Sequence, residues 1–285
     1  MPRLVQIVIG ISSCVLVMRI GERLFVKAAG TIAGLIAAVT GLMVYFELEL
    51  LPTTLLIFFI LLFILELLKL KESEGSAVKA GLFFTLGVLT RPVILTFLPL
   101  AVVWFLWIKM PLRHLVRFLI FAALPLVLSL MLHVLAGSGT VLVSAQGGIN
   151  YYIGNHHEAD GATARFPGIG TGWGWEEMRR MAVSRAGRPL LDSEVDRFYW
   201  QKGLKEIASY PVDWLRLMNR KAFLFWNKIE IPNNRDFYYH GRNFPLIGRL
   251  MMLGFPFLLP WALSGVVLNW RRSRISSRCL PVISR

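Results

Sequence analysis

Long apolar runs, separated by short polar segments, dominate this chain. Seven of them approach the roughly 20 residues that cross a bilayer as a helix; they cover residues 4–18, 28–46, 50–68, 77–90, 92–108, 115–136 and 246–269. The fourth and fifth runs meet at Thr90-Arg91-Pro92, where proline bars a continuous helix, so we expect a tight turn there at one membrane face. The pattern predicts an all-α polytopic membrane protein with about seven transmembrane helices.

The positive charges of the short connections predict how the chain is oriented. The connections on one side carry 14 Lys and Arg residues, whereas the opposite short segments carry only Arg3, Arg91 and Arg249. Because cytoplasmic loops are enriched in Lys and Arg, the first side is cytoplasmic. We therefore expect a multi-pass protein of the cell (inner or plasma) membrane. It has transmembrane helices at 1–137, an extracytoplasmic domain at 138–245, a last helix at 246–270 and a basic cytoplasmic tail at 271–285.

The outer segment 138–245 has the composition of a small folded domain, since it is rich in aromatic residues that disordered segments lack. Its glycine-rich start, Gly147–Asn155, predicts a loop. Ser193 followed by Asp196 resembles a capping box and predicts a helix that continues to Ser209. A second helix is expected to begin at Pro211 and to end at about Lys228. The domain is thus predicted to be mainly helical.

Composition excludes several classes of protein. The chain is 55% hydrophobic and only 17% charged, which excludes a soluble single-domain enzyme. The net charge of +14 does not indicate nucleic acid as a partner, because 17 of the 31 Lys and Arg residues lie outside the long polar stretch, at the ends of apolar runs. Such a distribution is typical of a membrane rim in contact with lipid. A transporter is disfavoured, because the apolar runs hold almost no ionisable residues at mid-depth.

Arg91 is the most informative single residue at the predicted outer face. A guanidinium there can hold a lipid phosphate through two hydrogen bonds. Alternatively, it extends from the interface into water. Glu47 and Glu49, two positions apart, point to different sides of a helix; they are solvated at the interface, or one of them faces a cavity and binds a metal ion or a sugar hydroxyl.

The start of the outer segment is a second group of candidates. His156-His157-Glu158-x-Asp160 offers metal-ligand side chains, but surface hydrogen bonding is the alternative. Together with this group, the preceding stretch supplies the candidate substrate-binding residues Asn150, Tyr152, Asn155, His156, Glu158 and Asp160.

The order of these features resembles the bacterial membrane glycosyltransferases of family 39, the protein O-mannosyltransferase-like group with a GT-C-type fold. The similarity covers roughly residues 3–270. The matching segments are Ile20–Phe25, Ala29–Ala38, the turn Glu47–Leu51, Gly87–Pro92, and Gly147–Asn155 leading to Glu158–Gly161.

The resemblance implies transfer of a sugar from a polyprenyl-phosphate carrier to a protein or lipid acceptor at the outer membrane face. It places Arg91 beside the lipid phosphate, Glu47 or Glu49 in the cavity, and the stretch from Gly148 to Asp160 over it, and it leaves a divalent metal ion open as a cofactor. The catalytic Asp of the family lies in a first outer loop that would precede Met1, so we expect an N-terminally shortened form of a longer protein. The alternative is a non-catalytic polytopic membrane protein that binds lipid phosphate or helps to assemble a complex.

Overall fold

The computed structural model describes residues 1–73, 75–227 and 258–267. Within these residues, helices are the only extended regular elements, which confirms the predicted all-α class. The chain divides into two compact units, one comprising Met1–Phe121 with Arg235–Arg285 and the other comprising Ala122–Asn234. The four-part division predicted from the sequence, with boundaries after residues 137, 245 and 270, stays a prediction.

Up to Phe121, the described residues of the first unit form six α-helices and the start of a seventh. They are α1 (Pro2–Leu24), α2 (Lys27–Val39), α3 (Gly41–Leu48), α4 (Thr53–Leu68), α5 (Ser76–Thr90), α6 (Leu98–Trp107) and α7 (Leu112–Leu135), with a 3-10 helix at Pro92–Phe97. The helix break predicted at Thr90-Arg91-Pro92 is confirmed, since α5 ends at Thr90. The run 28–46, predicted as one helix, is instead two helices, because the extended backbone of Thr40 bends them by 53°.

Among the described residues, two helices, α1 and α7, are long and apolar enough to cross a membrane, and the bent pair α2 and α3 is a third if it forms one span. The other apolar helices of the described residues are shorter: Thr53–Leu68, Ser76–Thr90, Pro92–Trp107 and Leu258–Val267. Of the predicted run 246–269, only residues 258–267 lie within the described part of the chain. The count of seven spans stays a prediction.

Hydrogen bonds at the two ends of α1 show that α1 and α4 run in the same direction. At one end, Arg3 Nε donates to the Leu48 carbonyl at 3.1 Å and Gln6 Nε2 donates to the Leu51 carbonyl at 2.9 Å, just before α4 begins. At the other end, Arg23 and Glu72 form an ion pair of 2.6 Å. Helix α5 packs against α4 in the opposite direction, since Phe84 contacts Phe63 and Gly87 lies near Phe59, and it returns towards the first end. Glu47, Glu49 and Arg91 therefore lie at the same end of this unit.

Four phenylalanines from four consecutive α-helices form the core of the first unit. Phe63, Phe84, Phe105 and Phe118 are all at least 92% buried. Their ring centroids lie 5.2 to 6.2 Å apart, a spacing typical of favourable aromatic pairs. The cluster joins α4, α5, α6 and the start of α7.

Up to residue 227, where the described part of the second unit ends, it contains the end of α7 and four shorter helices: α8 (Gly147–Asn155), α9 (Trp175–Ala186), α10 (Asp192–Ser209) and α11 (Pro211–Phe225). Its core comprises Ile149, Tyr152, Ile153, Phe166, Met178, Ala182, Leu190, Val195 and Tyr199. The mainly helical character predicted for this part of the chain is confirmed over the described residues. Helix α11 begins at the predicted Pro211 and ends at Phe225, whereas Lys228 lies outside the described residues.

Two local predictions for this unit are wrong. Gly147–Asn155 is helix α8 rather than a loop, because its glycines allow close packing against α10: a Cβ at Gly148 would overlap the Asp196 carbonyl oxygen. The capping box of Ser193 and Asp196 is not formed. Glu194 instead accepts the N–H of Leu191 at 2.9 Å, and Asp196 accepts the N–H of Gly148 at 2.6 Å.

Candidate functional site

The Glu47 carboxylate lies against the backbone of Gly10. Glu47 is on the last turn of α3, and Gly10 is on the buried face of α1. A Cβ at Gly10 would overlap the carboxyl group and Cγ of Glu47, so only glycine leaves room for this contact. The half-buried carboxylate is thus held between two apolar helices at the end of the unit that also carries Arg91.

Gln6, one helical turn before Gly10, adds a second polar group on the same face of α1. Its Nε2 donates to the Leu51 carbonyl at 2.9 Å. Its Oε1 is buried and has no hydrogen-bond partner among the described residues. A buried acceptor without a donor costs free energy unless a ligand or water supplies one. A hydroxyl group that reached Gln6 Oε1 would offset this cost.

Glu49 caps the C-terminus of α3 rather than continuing it. Its N–H donates to the Tyr45 carbonyl at 3.2 Å, and its backbone is extended. The Thr54 hydroxyl donates to the Phe46 carbonyl at 3.0 Å and so holds the end of α3 against the start of α4. The two carboxylates are thus positioned by different backbone conformations, one helical and one extended.

Arg91 has an exposed side chain at the C-terminus of α5. Its N–H donates to the Gly87 carbonyl at 2.8 Å, and its carbonyl accepts the N–H of Ile94 at 3.1 Å, which fixes the backbone on both sides. No carboxylate of the described residues forms an ion pair with its guanidinium. The structure thus brings Arg91 to the same end as Glu47 and Glu49 but shows no contact between it and either of them.

Two of the candidates in the second unit, Tyr152 and His156, belong to its interior. Their exposed fractions are 3% and 2%. Burial raises the pKa of Tyr152 to about 12, and Lys202 Nζ lies 4.2 Å from the centre of its ring. Burial lowers the pKa of His156, whose Nδ1 accepts the N–H of Glu158 at 3.2 Å and whose Nε2 lies 3.2 Å from the Arg165 carbonyl. These contacts indicate a neutral ring with its proton on Nε2 and its lone pair already engaged.

Asn155 and Asp160 are also occupied by local contacts. Asn155 donates to the Tyr151 carbonyl at 2.8 Å and accepts from Trp214 Nε1 at 3.0 Å. Asp160 accepts hydrogen bonds from Ala162 and from both the N–H and the hydroxyl of Thr163. Although burial raises its pKa, these hydrogen bonds lower the pKa of Asp160 to about 2. Each side chain thus stabilises a turn, and a binding role for either stays a prediction.

Asn150 and Glu158 are the two candidates of this unit with exposed side chains. Next to Glu158, His157 forms a pair that the sequence analysis missed: its Nδ1 lies 2.7 Å from Glu206 Oε2, and its ring packs on Tyr210 with centroids 4.6 Å apart. No signal in the sequence indicated this pair, because its members are 49 residues apart. Within the described part of the chain, no three His, Cys, Asp or Glu side chains are arranged to hold a metal ion.

The helices and the polar end of the first unit define an all-helical membrane protein with a carboxylate and a guanidinium at one end. The family model of the dolichyl-phosphate-mannose-protein mannosyltransferases matches residues 2–136. This match confirms the resemblance to family 39 glycosyltransferases of GT-C type, and it points to membrane mannosyltransferase activity. Neither the curated proteins nor the solved structures include a match to the chain. The resemblance of Gly147–Gly161 lies beyond the matched residues and stays a prediction.

Proposed function

We propose that the protein transfers a mannose-type sugar from a polyprenyl-phosphate carrier to a protein or lipid acceptor at the outer face of the cell membrane. The family match over residues 2–136 carries this proposal, because the matched segment is the one that brings Glu47, Glu49 and Arg91 to one end of the first unit. The predicted orientation puts that end outside the cell.

The chemistry of such a transfer suits these residues. The bond between the anomeric carbon and the phosphate oxygen breaks, and a new bond forms to the acceptor oxygen. The acceptor hydroxyl loses its proton to a base, the role that the resemblance gives to the Asp of the family's first outer loop. Negative charge grows on the departing lipid phosphate, and we assign the Arg91 guanidinium to stabilise it. Positive charge develops on the sugar as the transition state gains oxocarbenium character, and nearby carboxylates stabilise it. We assign this role to Glu47 and Glu49. Gln6 Oε1 accepts a sugar or acceptor hydroxyl.

The phosphate role of Arg91 is tested by lipid-phosphate binding. The full chain is placed in nanodiscs and titrated with a fluorescent polyprenyl monophosphate, with Arg91→Lys as the variant. Lysine keeps the charge but loses the planar, two-pronged contact, so we expect affinity to fall about tenfold, equivalent to about 1.4 kcal/mol. Arg19→Lys, an exposed arginine at the opposite end of α1, is the matched control. Equal affinities in both variants would remove Arg91 from the phosphate site.

Catalysis is tested separately with radiolabelled polyprenyl-phosphate mannose and bacterial membranes as the source of acceptors. Transfer of label by the wild-type chain, lost in Glu47→Gln and Arg91→Ala, supports the enzyme. Lipid-phosphate binding without any transfer, both by this chain and by a longer chain that carries the family's acidic outer loop, would favour the alternative, a non-catalytic membrane protein that binds lipid phosphate.

A further inference from the structure

Helix α11 has two apolar faces, and one of them attaches it to the second unit. Leu217 on that face is 6% exposed. Trp214 Nε1 donates to Asn155 Oδ1 at 3.0 Å, and Lys221 Nζ donates to the Gly154 carbonyl at 2.6 Å. These contacts fix the rotation of the helix about its own axis.

The opposite face of α11 is apolar and exposed. Val212, Leu215 and Phe223 are 58%, 61% and 72% exposed, and Trp226, just after the helix, is 57% exposed. Their spacing places them in one stripe at 3.6 residues per turn, together with Ala222 and a single polar residue, Asn219. Large apolar side chains in a continuous stripe of this kind mark a surface that contacts something other than water.

The position of this unit in the chain and its charges indicate what that surface contacts. The unit includes residues 122–135, the second half of α7, which is long and apolar enough to cross a bilayer. Exposed arginines, Arg216 and Arg220, follow one edge of the apolar stripe, and Arg216 also forms an exposed ion pair of 3.1 Å with Asp213. Aromatic side chains at the end of such a helix and arginines at its edge are typical of helices that lie in the membrane–water interface.

We propose that α11 lies in the membrane–water interface, parallel to the bilayer surface. Val212, Leu215, Phe223 and Trp226 are inserted among the upper parts of the acyl chains, and Arg216 and Arg220 extend to the phosphates of anionic lipids. The buried face, with Leu217 and Trp214, meanwhile holds the rest of the unit. This inference concerns a contact with lipid and does not depend on the proposed transferase activity.

Spin labels on the full chain test the proposal. Cys14 and Cys279 are replaced by serine, and single cysteines are introduced by Leu215→Cys, Phe223→Cys and, as the control on the polar side of the helix, Asp213→Cys. All three positions are exposed, so labelling leaves the core intact. In nanodiscs of phosphatidylglycerol and phosphatidylcholine, we expect labels at 215 and 223 to be at least fivefold more accessible to oxygen, relative to a water-soluble nickel chelate, than the label at 213.

Two results would overturn the proposal. Nickel accessibility at 215 and 223 equal to that at 213 would mean that the stripe faces water. Protection of both labels from oxygen and nickel alike would mean that another part of the protein covers it. The role of the arginines is tested by removing the anionic lipid. In pure phosphatidylcholine, the labels at 215 and 223 should lie less deep in the membrane. An unchanged depth would contradict the proposed contact between the arginines and anionic lipid phosphates.

Discussion

The carboxylate of Glu47 occupies the space in which a side chain at Gly10 would begin. The contact joins α1 to the end of α3, and it is made 37 positions apart in the chain. Gln6 lies one turn away on the same face of α1 and is held by the Leu51 carbonyl. Helix α1 therefore positions both Glu47, a carboxylate of the proposed sugar site, and Gln6, the proposed hydroxyl acceptor.

Replacement Gly10→Ala should displace the Glu47 carboxylate. We expect the loss of stability to be small, at most about 1 kcal/mol, because the atoms that meet the added methyl group all belong to the flexible Glu47 side chain, which can move away. If the proposed function is correct, sugar transfer should fall at least as far as in Glu47→Gln. Melting of the detergent-solubilised full chain and the transfer assay measure the two effects. Ile11→Ala, at a position that is 61% exposed, is the matched control; a Gly10→Ala protein as stable and active as this control would show that the contact is not needed.

The pattern of residues along the chain predicted those features of the fold that depend on local backbone chemistry. The break after Thr90 follows from Pro92, and the start of α11 follows from Pro211, since proline favours the first turn of a helix. The three charged candidates of the first unit were identifiable because charged residues at the ends of apolar runs are conspicuous. The common position of Glu47, Glu49 and Arg91 at one end then followed from helices that alternate in direction.

Features that depend on long-range packing were not predictable in this way. The glycine-rich sequence of α8 is typical of a loop. Because glycine has no side chain, however, it allows the backbone of α10 to pack closely against this helix. Gln6 was missed because a neutral amide inside an apolar run carries no charge signal, and its partner Leu51 is 45 residues away. The bend at Thr40 likewise follows from a local extended conformation without a proline at that position.

Replacement Gly148→Ala should destabilise the second unit. The new Cβ would overlap the carbonyl oxygen of Asp196, and its displacement would also strain the 2.6 Å hydrogen bond between the Gly148 N–H and the Asp196 carboxylate. We expect a loss of about 1–3 kcal/mol, observed as faster proteolysis between α8 and α10 in the full chain. Gly172→Ala is the matched control, because nothing lies within 4 Å of its added methyl group. Equal proteolysis rates in the two variants would contradict the close packing of α8 on α10.

The turn held by Asp160 should make the second unit sensitive to acid. Its pKa of about 2 in the folded protein lies below the value of about 3.9 expected when unfolded. The carboxylate therefore stabilises the fold above pH 4, and this contribution is lost as the pH falls towards 2. Asp160→Asn should be less stable than the wild type at pH 6, and the difference should shrink between pH 4 and pH 2. Glu176→Gln, which removes an exposed carboxylate, is the control in the same melting series; a difference for Asp160→Asn that is independent of pH would contradict the assignment.

The ends of α4 should be accessible from opposite sides of the membrane. The Arg23–Glu72 ion pair puts the C-terminal end of α4 beside the C-terminal end of α1, whereas Gln6 and Leu51 put its N-terminal end beside the start of α1. With Cys14 and Cys279 replaced by serine, Leu50→Cys should react with a membrane-impermeant maleimide in intact cells, since position 50 is exposed at the predicted outer end. Lys71→Cys, exposed at the other end, should react only after the membrane is permeabilised. Labelling of both cysteines in permeabilised cells controls for their intrinsic reactivity. The reverse pattern in intact cells would invert the predicted topology. Arg91 would then lie on the cytoplasmic side, where it could not take part in the proposed transfer at the outer face.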